Sequence, residues 1–169
     1  DGDTGEVDAG ETPVRTGLQE NGALEIRSAA DDAARTELWK LRKSVSPAIA
    51  KIAPLKFNED VCVPISKIPS MCTFVEELGK RHDLKVVTFG HSGDGNLHVN
   101  ILTHWRKPEQ MARVKEAIGE LFTECVRQGG TLSGEHGIGI AKRPYISIAL
   151  DDATIAFEKR IKQAFDPGE

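Results

Sequence analysis

The apolar residues of this chain recur in two periods, one typical of amphipathic helices and one typical of half-buried strands. The helical period is clearest after Pro108, where Met111, Val114 and Ile118 fall on one face and Gly129 ends the pattern. Helices are predicted from Thr12 to Asn21, from Asp31 to Ser46, from Pro69 to Leu78, from Pro108 to Gly129 and from Phe157 to Phe165. Strands are predicted at Leu24–Ile26, Asp60–Pro64, Lys85–Phe89 and Leu97–Thr103.

The order of these elements predicts the fold class. Helices and strands alternate, and the last two strands are close enough in sequence to form a hairpin. This favours an α+β fold with a mainly antiparallel sheet and helices packed on one face, built from two ferredoxin-like split β-α-β halves. The 169 residues suffice for one buried core, and we therefore predict a single domain over residues 1–169.

Composition and charge narrow the classes of partner. The formal net charge is −4, so the chain lacks the basic surface that attracts nucleic acids or anionic membranes. No apolar run approaches the roughly 20 residues of a membrane-spanning helix. Cys62, Cys72 and Cys125 lie in apolar segments without a C-x-x-C pair, which favours buried thiols in a reducing compartment. We therefore expect a cytoplasmic protein with no nucleic-acid partner and no membrane span.

Three of the five histidines lie in two glycine-rich segments, where chemistry is expected. In the first segment, Asp94-Gly95 suits the centre of a two-residue type I′ turn. Such a turn would place His91 directly opposite His98, with their side chains on the same face of the hairpin. Strand alternation then adds Asn100 to that face and directs the apolar residues between them to the other.

Two facing histidines repel each other when both are protonated, so a third group is needed to stabilise the pair. A divalent metal does so, and Glu135 in the second segment is the nearest acidic candidate. Two imidazoles and a carboxylate with an open position are typical of catalytic zinc. The adjacent His136 would point away from Glu135 in an extended segment, so one would hold a metal while the other meets a substrate. The alternative is a hydrogen-bonded hairpin with two partly exposed histidines, and spacing alone leaves it open.

Both segments resemble a known family signature. Residues 90–98 read Gly-His-Ser-Gly-Asp-Gly-Asn-Leu-His, and residues 133–139 read Ser-Gly-Glu-His-Gly-Ile-Gly. Together they resemble the C-terminal domain of FAD-linked oxidases, a family that includes the glycolate oxidase flavoprotein subunit, D-lactate dehydrogenase and D-2-hydroxyglutarate dehydrogenase. Residues 39–42, 59–64 and 165–168 look like further parts of the family pattern, so the resemblance covers nearly the whole chain.

The resemblance implies an oxidoreductase whose FAD is bound mainly by an N-terminal domain outside this sequence. The chain would then be the substrate domain of a flavoprotein that oxidises a 2-hydroxy acid, of the glycolate or D-lactate type, to the 2-keto acid, with hydride passing to FAD. By itself it would be inactive. The implied partners are the small 2-hydroxy acid, the FAD-binding domain of the same polypeptide and an electron-accepting subunit.

The resemblance also implies roles for individual residues of the two segments. The ligands of metal-dependent members fall on His91, His98 and Glu135, which implies a divalent metal, with zinc as the expected ion. His136 matches the general base that takes the substrate's hydroxyl proton, a task that suits an imidazole. The implied contacts to the cofactor are Glu135, His136 and Gly137.

Substrate contacts are implied elsewhere in the chain. Arg42 matches the residue that clamps the substrate carboxylate, for which a guanidinium fork is suited. Asn100 matches a substrate-contacting position, and Ser46 stands where some relatives have a hydrogen-bonding Thr. A departure lies near Asn58, where dicarboxylate-using relatives have a Lys, and this argues against a D-2-hydroxyglutarate-like substrate.

Two functions of other classes remain open from the sequence. One is a stand-alone metal or small-anion binding module without redox activity. The other is a metal-dependent hydrolase with Glu135 or His136 as base, which the lack of an H-E-x-x-H spacing makes less favourable.

Overall fold

The structure, a computed structural model, describes residues 3–104 and 108–168. The chain divides into two compact units, Asp1–Pro47 and Ala48–Glu169. The helices and strands are α1 (Thr4–Glu20), α2 (Asp32–Ala50), β1 (Leu55–Cys62), α3 (Ile68–Arg81), β2 (Lys85–His91), β3 (Asn96–Thr103), α4 (Pro108–Arg127), α5 (Gly139–Lys142) and α6 (Asp152–Phe165). Short 3-10 turns lie at Ile65–Lys67, Ser92–Asp94 and Arg143–Ile148.

Helix α1 begins well before the predicted start at Thr12. Asp3 accepts the N–H of Glu6 at 3.0 Å, and Glu6 accepts the N–H of Asp3 at 3.3 Å. This capping box satisfies amides of the first turn and fixes the start of the helix there. Pro13 lies inside the helix rather than at its first position. The helix end near Asn21 is confirmed, since Asn21 is the C-cap.

Helix α2 continues past its predicted end at Ser46. Pro47 lies inside it, and the helix extends to Ala50. Ile49, beyond the proline, is buried. Burying this side chain offsets the hydrogen bond that a proline removes from a helix.

The predicted strand at Leu24–Ile26 is wrong. This segment is irregular, Leu24 is fully exposed, and Glu25 pairs with Arg27 at 2.7 Å. An isolated apolar-polar-apolar triplet forms a strand only where a neighbouring strand pairs with it, and none of the described strands does so.

The sheet has the order β1-β3-β2, with both outer strands antiparallel to β3. The central strand is buried along its whole length. Strand β1 begins earlier than the predicted Asp60, because it pairs with β3 from Leu55 opposite Thr103 to Cys62 opposite Asn96. The predicted positions of β2, β3, α3, α4 and α6 are confirmed within a few residues.

The α+β class is confirmed, but the ferredoxin-like detail is not. Strands β1 and β2, joined through α3, form one split β-α-β unit around β3. One of the two predicted halves is not formed, because the predicted strand at Leu24–Ile26 is absent. Within the described ranges, the chain after α4 pairs with β1 only by a single bridge between Thr131 and Cys62.

The core of the second unit lies between one face of the sheet and helices α3 and α4, as predicted. Its fully buried members include Val61, Val99, Ile101, Met71, Leu78, Leu121 and Phe122. The opposite face of the sheet is therefore left for polar residues. Among the described helices, none combines the length and apolar character needed to cross a membrane.

Candidate metal and substrate site

The turn between β2 and β3 is longer than predicted. His91 pairs with Asn96, and Phe89 pairs with His98. Four residues, Ser92–Gly95, therefore separate the strands instead of two. The prediction that His91 lies directly opposite His98 is wrong.

Contacts with the end of β1 explain this turn. Gly95 has φ +73°, and a Cβ at this position would collide with the carbonyl oxygen of Val63. The N–H of Val63 donates to the carbonyl of Gly95 at 3.0 Å, and Cys62 Sγ donates to the carbonyl of Asp94 at 3.2 Å. The prediction of a type I′ turn used only the local preference of Asp-Gly. It could not take these long-range contacts into account.

The predicted division of the two faces of β3 is confirmed. His98 and Asn100 lie on one face, and the buried Leu97 and Val99 lie on the other. His91 lies on the face of His98 as a diagonal neighbour. The ring centroids of the two histidines are 5.4 Å apart, with their planes at 84°, so they are close despite the changed register.

A carboxylate on β1 brings the second glycine-rich segment to the same face. Asp60 pairs with His98 across the strands and is fully buried. Its Oδ2 accepts the backbone N–H groups of Gly134, Glu135 and His136 at 3.0, 2.9 and 2.8 Å. Three successive amides that converge on one oxygen require a tight bend.

Because of that bend, the prediction for the directions of Glu135 and His136 is wrong, and the two glycine-rich segments come into contact. Glu135 and His136 do not point in opposite directions, because the segment is not extended. Glu135 Oε1 lies 3.2 Å from His98 Nε2, 3.7 Å from His91 Nε2 and 3.8 Å from His136 Nε2. The rings of His98 and His136 stack with centroids 5.4 Å apart. The two glycine-rich segments therefore meet in space.

Further hydrogen bonds hold Asp60 and the loop together. Ser133 Oγ donates to Asp60 Oδ2 at 2.9 Å, and Asn96 Nδ2 donates to Oδ1 at 2.8 Å. The buried Lys142 donates to the main-chain oxygens of Asp60 and Leu132 at 2.6 and 2.7 Å. The second segment is thus anchored through side chains and backbone alike.

These contacts keep Asp60 ionised. Burial alone would raise the pKa of the Asp60 carboxyl. The amides of His136 and Glu135, together with the side chains of Ser133 and Asn96, outweigh burial and hold this pKa well below its usual range. A fixed negative charge therefore lies beneath the loop.

The donor atoms of His91, His98 and Glu135 fit a divalent ion. One donor atom from each lies within 4.8 Å of the others. The His98 side chain is 8% exposed, whereas those of His91 and Glu135 are 42% and 51% exposed. Two imidazole nitrogens and a carboxylate oxygen, buried on one side and open on the other, leave room for a further ligand.

The electrostatics of His98 suit a metal ligand. Burial lowers the pKa of its imidazole, and the nearby His136 and His91 lower it further. The carboxylates of Glu135 and Asp60 oppose this shift without reversing it. His98 is therefore neutral near pH 7, the form in which an imidazole binds metals.

Asn100 has a free acceptor on this face. It is fully buried, and its Nδ2 donates to the carbonyls of Val87 and His98 at 3.2 and 3.0 Å. Its Oδ1 has no hydrogen-bond partner, and neither has Oδ1 of Asn58, its partner across the strands. A buried acceptor without a donor is costly, so a ligand with a hydroxyl group or a water would stabilise it.

Three further residues were predicted to take part in the site. Arg42 and Ser46 are one helical turn apart on α2, within the first unit. Gly137 follows the bend with φ +77°, and its N–H donates to Ser133 Oγ at 2.7 Å. The roles of these three residues stay predictions.

Sequence reasoning missed Asp60 as part of the site. A signal was present: Glu59-Asp60 directly precedes the apolar, β-branched residues Val61–Val63, and an ionised residue in a buried strand requires partners. The identity of those partners was not visible, because they are backbone amides more than 70 residues away.

Comparison with known proteins identifies the relatives of this chain. The family model described as FAD linked oxidases, C-terminal domain, matches residues 1–169. Glycolate oxidase subunit GlcD of Bacillus subtilis is 37% identical over 145 residues, which cover 86% of this chain and 31% of that protein. D-2-hydroxyglutarate dehydrogenase of Stutzerimonas stutzeri is 36% identical over 139 residues, 77% of this chain and 28% of that protein. D-lactate dehydrogenase of Anaerostipes hadrus is 32% identical over 149 residues, 88% of this chain and 31% of that protein.

The chain spans about a third of the length of these relatives. The family match extends over all of its residues, and it agrees with the two glycine-rich segments that meet on the polar face of the sheet. The chain belongs to the family of FAD linked oxidases, C-terminal domain.

Proposed function

We propose that this chain is the substrate domain of a flavin-dependent oxidoreductase that converts a small 2-hydroxy acid, of the glycolate or D-lactate type, into the 2-keto acid. Residues 1–169 would form this domain within a longer polypeptide. The observation that carries the proposal is the cluster of His91, His98 and Glu135, with His136 stacked against it. The names of the relatives support hydroxy acids as the substrate class.

His91, His98 and Glu135 would hold a divalent metal, for which zinc is the proposed ion. Their nitrogen and oxygen donors match its preferences, and burial lowers the pKa of His98, which favours the neutral form of that ligand. When bound, such an ion polarises the oxygens of a substrate. The open side of the cluster is formed by the half-exposed Glu135 and His91.

His136 is the proposed general base. Its side chain is 47% exposed and its Nε2 lies 3.8 Å from Glu135 Oε1, beside the proposed ligands without being needed among them. In the reaction, the hydroxyl proton passes to His136 Nε2 as the C2–H bond breaks and the carbonyl forms. The flavin, when bound, accepts the hydrogen of C2 with its electron pair.

The remaining roles concern binding. Arg42 would pair with the substrate carboxylate through its guanidinium fork, and Ser46 would donate a hydrogen bond. The unpartnered Oδ1 of Asn100 supports a contact with a substrate hydroxyl. The proposed contacts to FAD from this chain are Glu135, His136 and Gly137.

The proposed partners follow from the same assignment. FAD would be bound mainly by another domain of the same polypeptide, and the electrons would pass to a further subunit. The word subunit in the name of the glycolate oxidase relatives supports such an assembly. A cytoplasmic location is our proposal, in keeping with the free Cys62, Cys72 and Cys125.

Anaerobic flavin reduction tests this function in the full-length protein. In the wild-type protein, glycolate or D-lactate should reduce the flavin, and the protein should contain bound zinc. His98→Ala should lose the zinc and most of the reduction rate. His82→Gln is the matched control, because His82 bonds Glu120 at 2.8 Å between α3 and α4, outside the cluster.

Two results would contradict the proposal. Full reduction rates after complete removal of metal would exclude the ion from the reaction. Bound zinc in a protein whose flavin no 2-hydroxy acid reduces would favour a metal-binding module instead.

A further inference from the structure

A buried carboxylate on β1 is in contact with the loop that carries two of the proposed site residues. We propose that Asp60 is a positioning residue, whose carboxylate holds loop 133–137 in the conformation that presents Glu135 and His136 to His98. The catalytic meaning of this inference rests on the proposed function. The placement of the loop by Asp60 is a separate claim that is tested without any turnover.

The convergence of donors on Asp60 carries the inference. Its Oδ2 accepts three successive backbone amides within 3.0 Å and the hydroxyl of Ser133 at 2.9 Å. Ser133 Oγ also accepts the N–H of Gly137 at 2.7 Å. Both ends of the bend are therefore tied, directly or through one hydroxyl, to a single oxygen atom.

The bend determines where the two side chains go. An extended segment would send Glu135 and His136 to opposite sides. The bend around Asp60 brings Glu135 Oε1 to 3.2 Å from His98 Nε2 and to 3.8 Å from His136 Nε2. Without the shared acceptor, three adjacent, partly buried amides would lose their partner, and the chain would relax away from this conformation.

Close packing beneath the loop supports the same reading. A Cβ on Gly134 would collide with the amide of Asn96 and lie 3.0 Å from Asp60 Oδ1. The backbone of the loop is thus in contact with the Asp60–Asn96 pair, and only glycine permits this approach.

The charge of Asp60 matters as well as its shape. An ionised acceptor forms shorter and stronger hydrogen bonds with amides than a neutral one does. Asp60→Asn keeps the size of the side chain and removes the charge. The introduced amide group has an acceptor available, because Oδ1 of Asn96 has no partner and rotation of the Asn96 amide would offer it. This variant is therefore suited to retain the fold while weakening the hold on the loop.

Hydrogen exchange followed by mass spectrometry measures directly, in the full-length protein, how strongly Asp60 protects the amides of the loop. In Asp60→Asn, peptides that contain residues 133–137 should exchange about tenfold faster or more than in wild type, because their amides lose a charged acceptor. Asp151→Asn is the matched control: Asp151 accepts the N–H of Thr154 at 2.7 Å at the start of α6. It should leave exchange in the loop unchanged.

Zinc affinity supplies a second readout. Titration calorimetry of the metal-free protein with zinc should show about 10- to 100-fold weaker binding in Asp60→Asn, as is typical when a residue that orients a ligand is changed. Glu135→Gln should weaken binding through loss of the ligand itself, with no change in loop exchange. These two variants separate positioning from ligation.

The outcomes are distinct. Loop exchange and zinc affinity that both stay within about twofold of wild type in Asp60→Asn would overturn the positioning role. If Glu135→Gln leaves zinc affinity unchanged, the metal site of the proposed function fails, while faster loop exchange in Asp60→Asn still supports the role of Asp60.

Gly134→Ala probes the same contact from the loop side. It keeps the carboxylate but forces the backbone away from Asn96. It should also speed exchange in the loop and weaken zinc binding. Where Asp60→Asn prevents folding, wild-type exchange and zinc affinity in Gly134→Ala would overturn the inference.

Discussion

His98 and His136 stack with their ring planes only 18° apart, although they belong to different segments of the chain. One is buried and the other is half-exposed. The buried ring is suited to bind a metal, and the exposed ring is accessible to a substrate. Their different exposure to solvent supports the proposed division of tasks, with His98 as a metal ligand and His136 as the general base.

This division predicts separable effects of substitution in the full-length protein. His136→Gln should reduce the rate of flavin reduction by about 10²- to 10⁴-fold, the usual contribution of a general base. Zinc content, measured by elemental analysis, should stay at the wild-type level. Loss of zinc in this variant would instead make His136 a ligand.

The β2-β3 turn offers a matched pair of glycine substitutions. Gly95→Ala should destabilise the protein by about 1–3 kcal/mol, because Gly95 has a positive φ and its Cβ would collide with Val63. Gly93→Ala, where a Cβ meets nothing within 4 Å, should change stability by less than about 0.5 kcal/mol. Urea denaturation measures both. Equal stabilities would show that the turn is not held against Val63.

Lys142 should be important for stability. Lys142→Met removes the donor from the main-chain oxygens of Asp60 and Leu132, and we expect a loss of about 1–3 kcal/mol for the buried groups left without a partner. Lys162→Met is the control, since Lys162 is 57% exposed and pairs with Asp166. A small effect at Lys142, comparable to that at Lys162, would contradict the prediction.

Glu120 should make stability depend on pH. Hydrogen bonds from Arg81 and, less strongly, from His82 lower the pKa of Glu120 despite opposing burial. Since the folded pKa is depressed, the stabilisation is present above about pH 4.3, the ordinary pKa of Glu, and is lost as pH falls through the folded pKa.

The melting temperatures of wild type and Glu120→Gln at pH 7 and at acidic pH test this. Wild type should be more stable at pH 7 by less than about 1 kcal/mol, because the Glu120 side chain is 45% exposed and solvent screens the pair. The difference should shrink on acidification. Glu116→Gln, on an exposed position of α4, is the control, and a constant difference at both pH values would contradict the assignment.

The sequence predicted local features of the fold better than long-range ones. The polar and apolar faces of β3 follow from alternation alone, so His98 and Asn100 were assigned to the correct face. The amphipathic stripes of α3 and α4 likewise required only their own residues. The start of α1 was missed because the capping box at Asp3 fixes it earlier than Pro13 suggested.

The errors at the site share one physical cause. The register of the hairpin depends on Cys62, the last residue of β1, and on Val63 directly after it, since both contact the turn. The bend at Glu135 depends on Asp60, which lies far away in sequence. In both cases a distant strand overrides the local preference of the backbone, and this is not encoded within the segment itself.

The pairing of Asp60 with His98 has a consequence for the fidelity of folding. Strand side chains alternate between faces, so a slip of β1 by one residue against β3 would exchange Asp60 with Val61. The carboxylate would then enter the apolar core, and the loop would lose its anchor at the same moment. Molecules with a misaligned first strand would thus lack the candidate site as well as stability, so correct pairing of β1 with β3 is required for both.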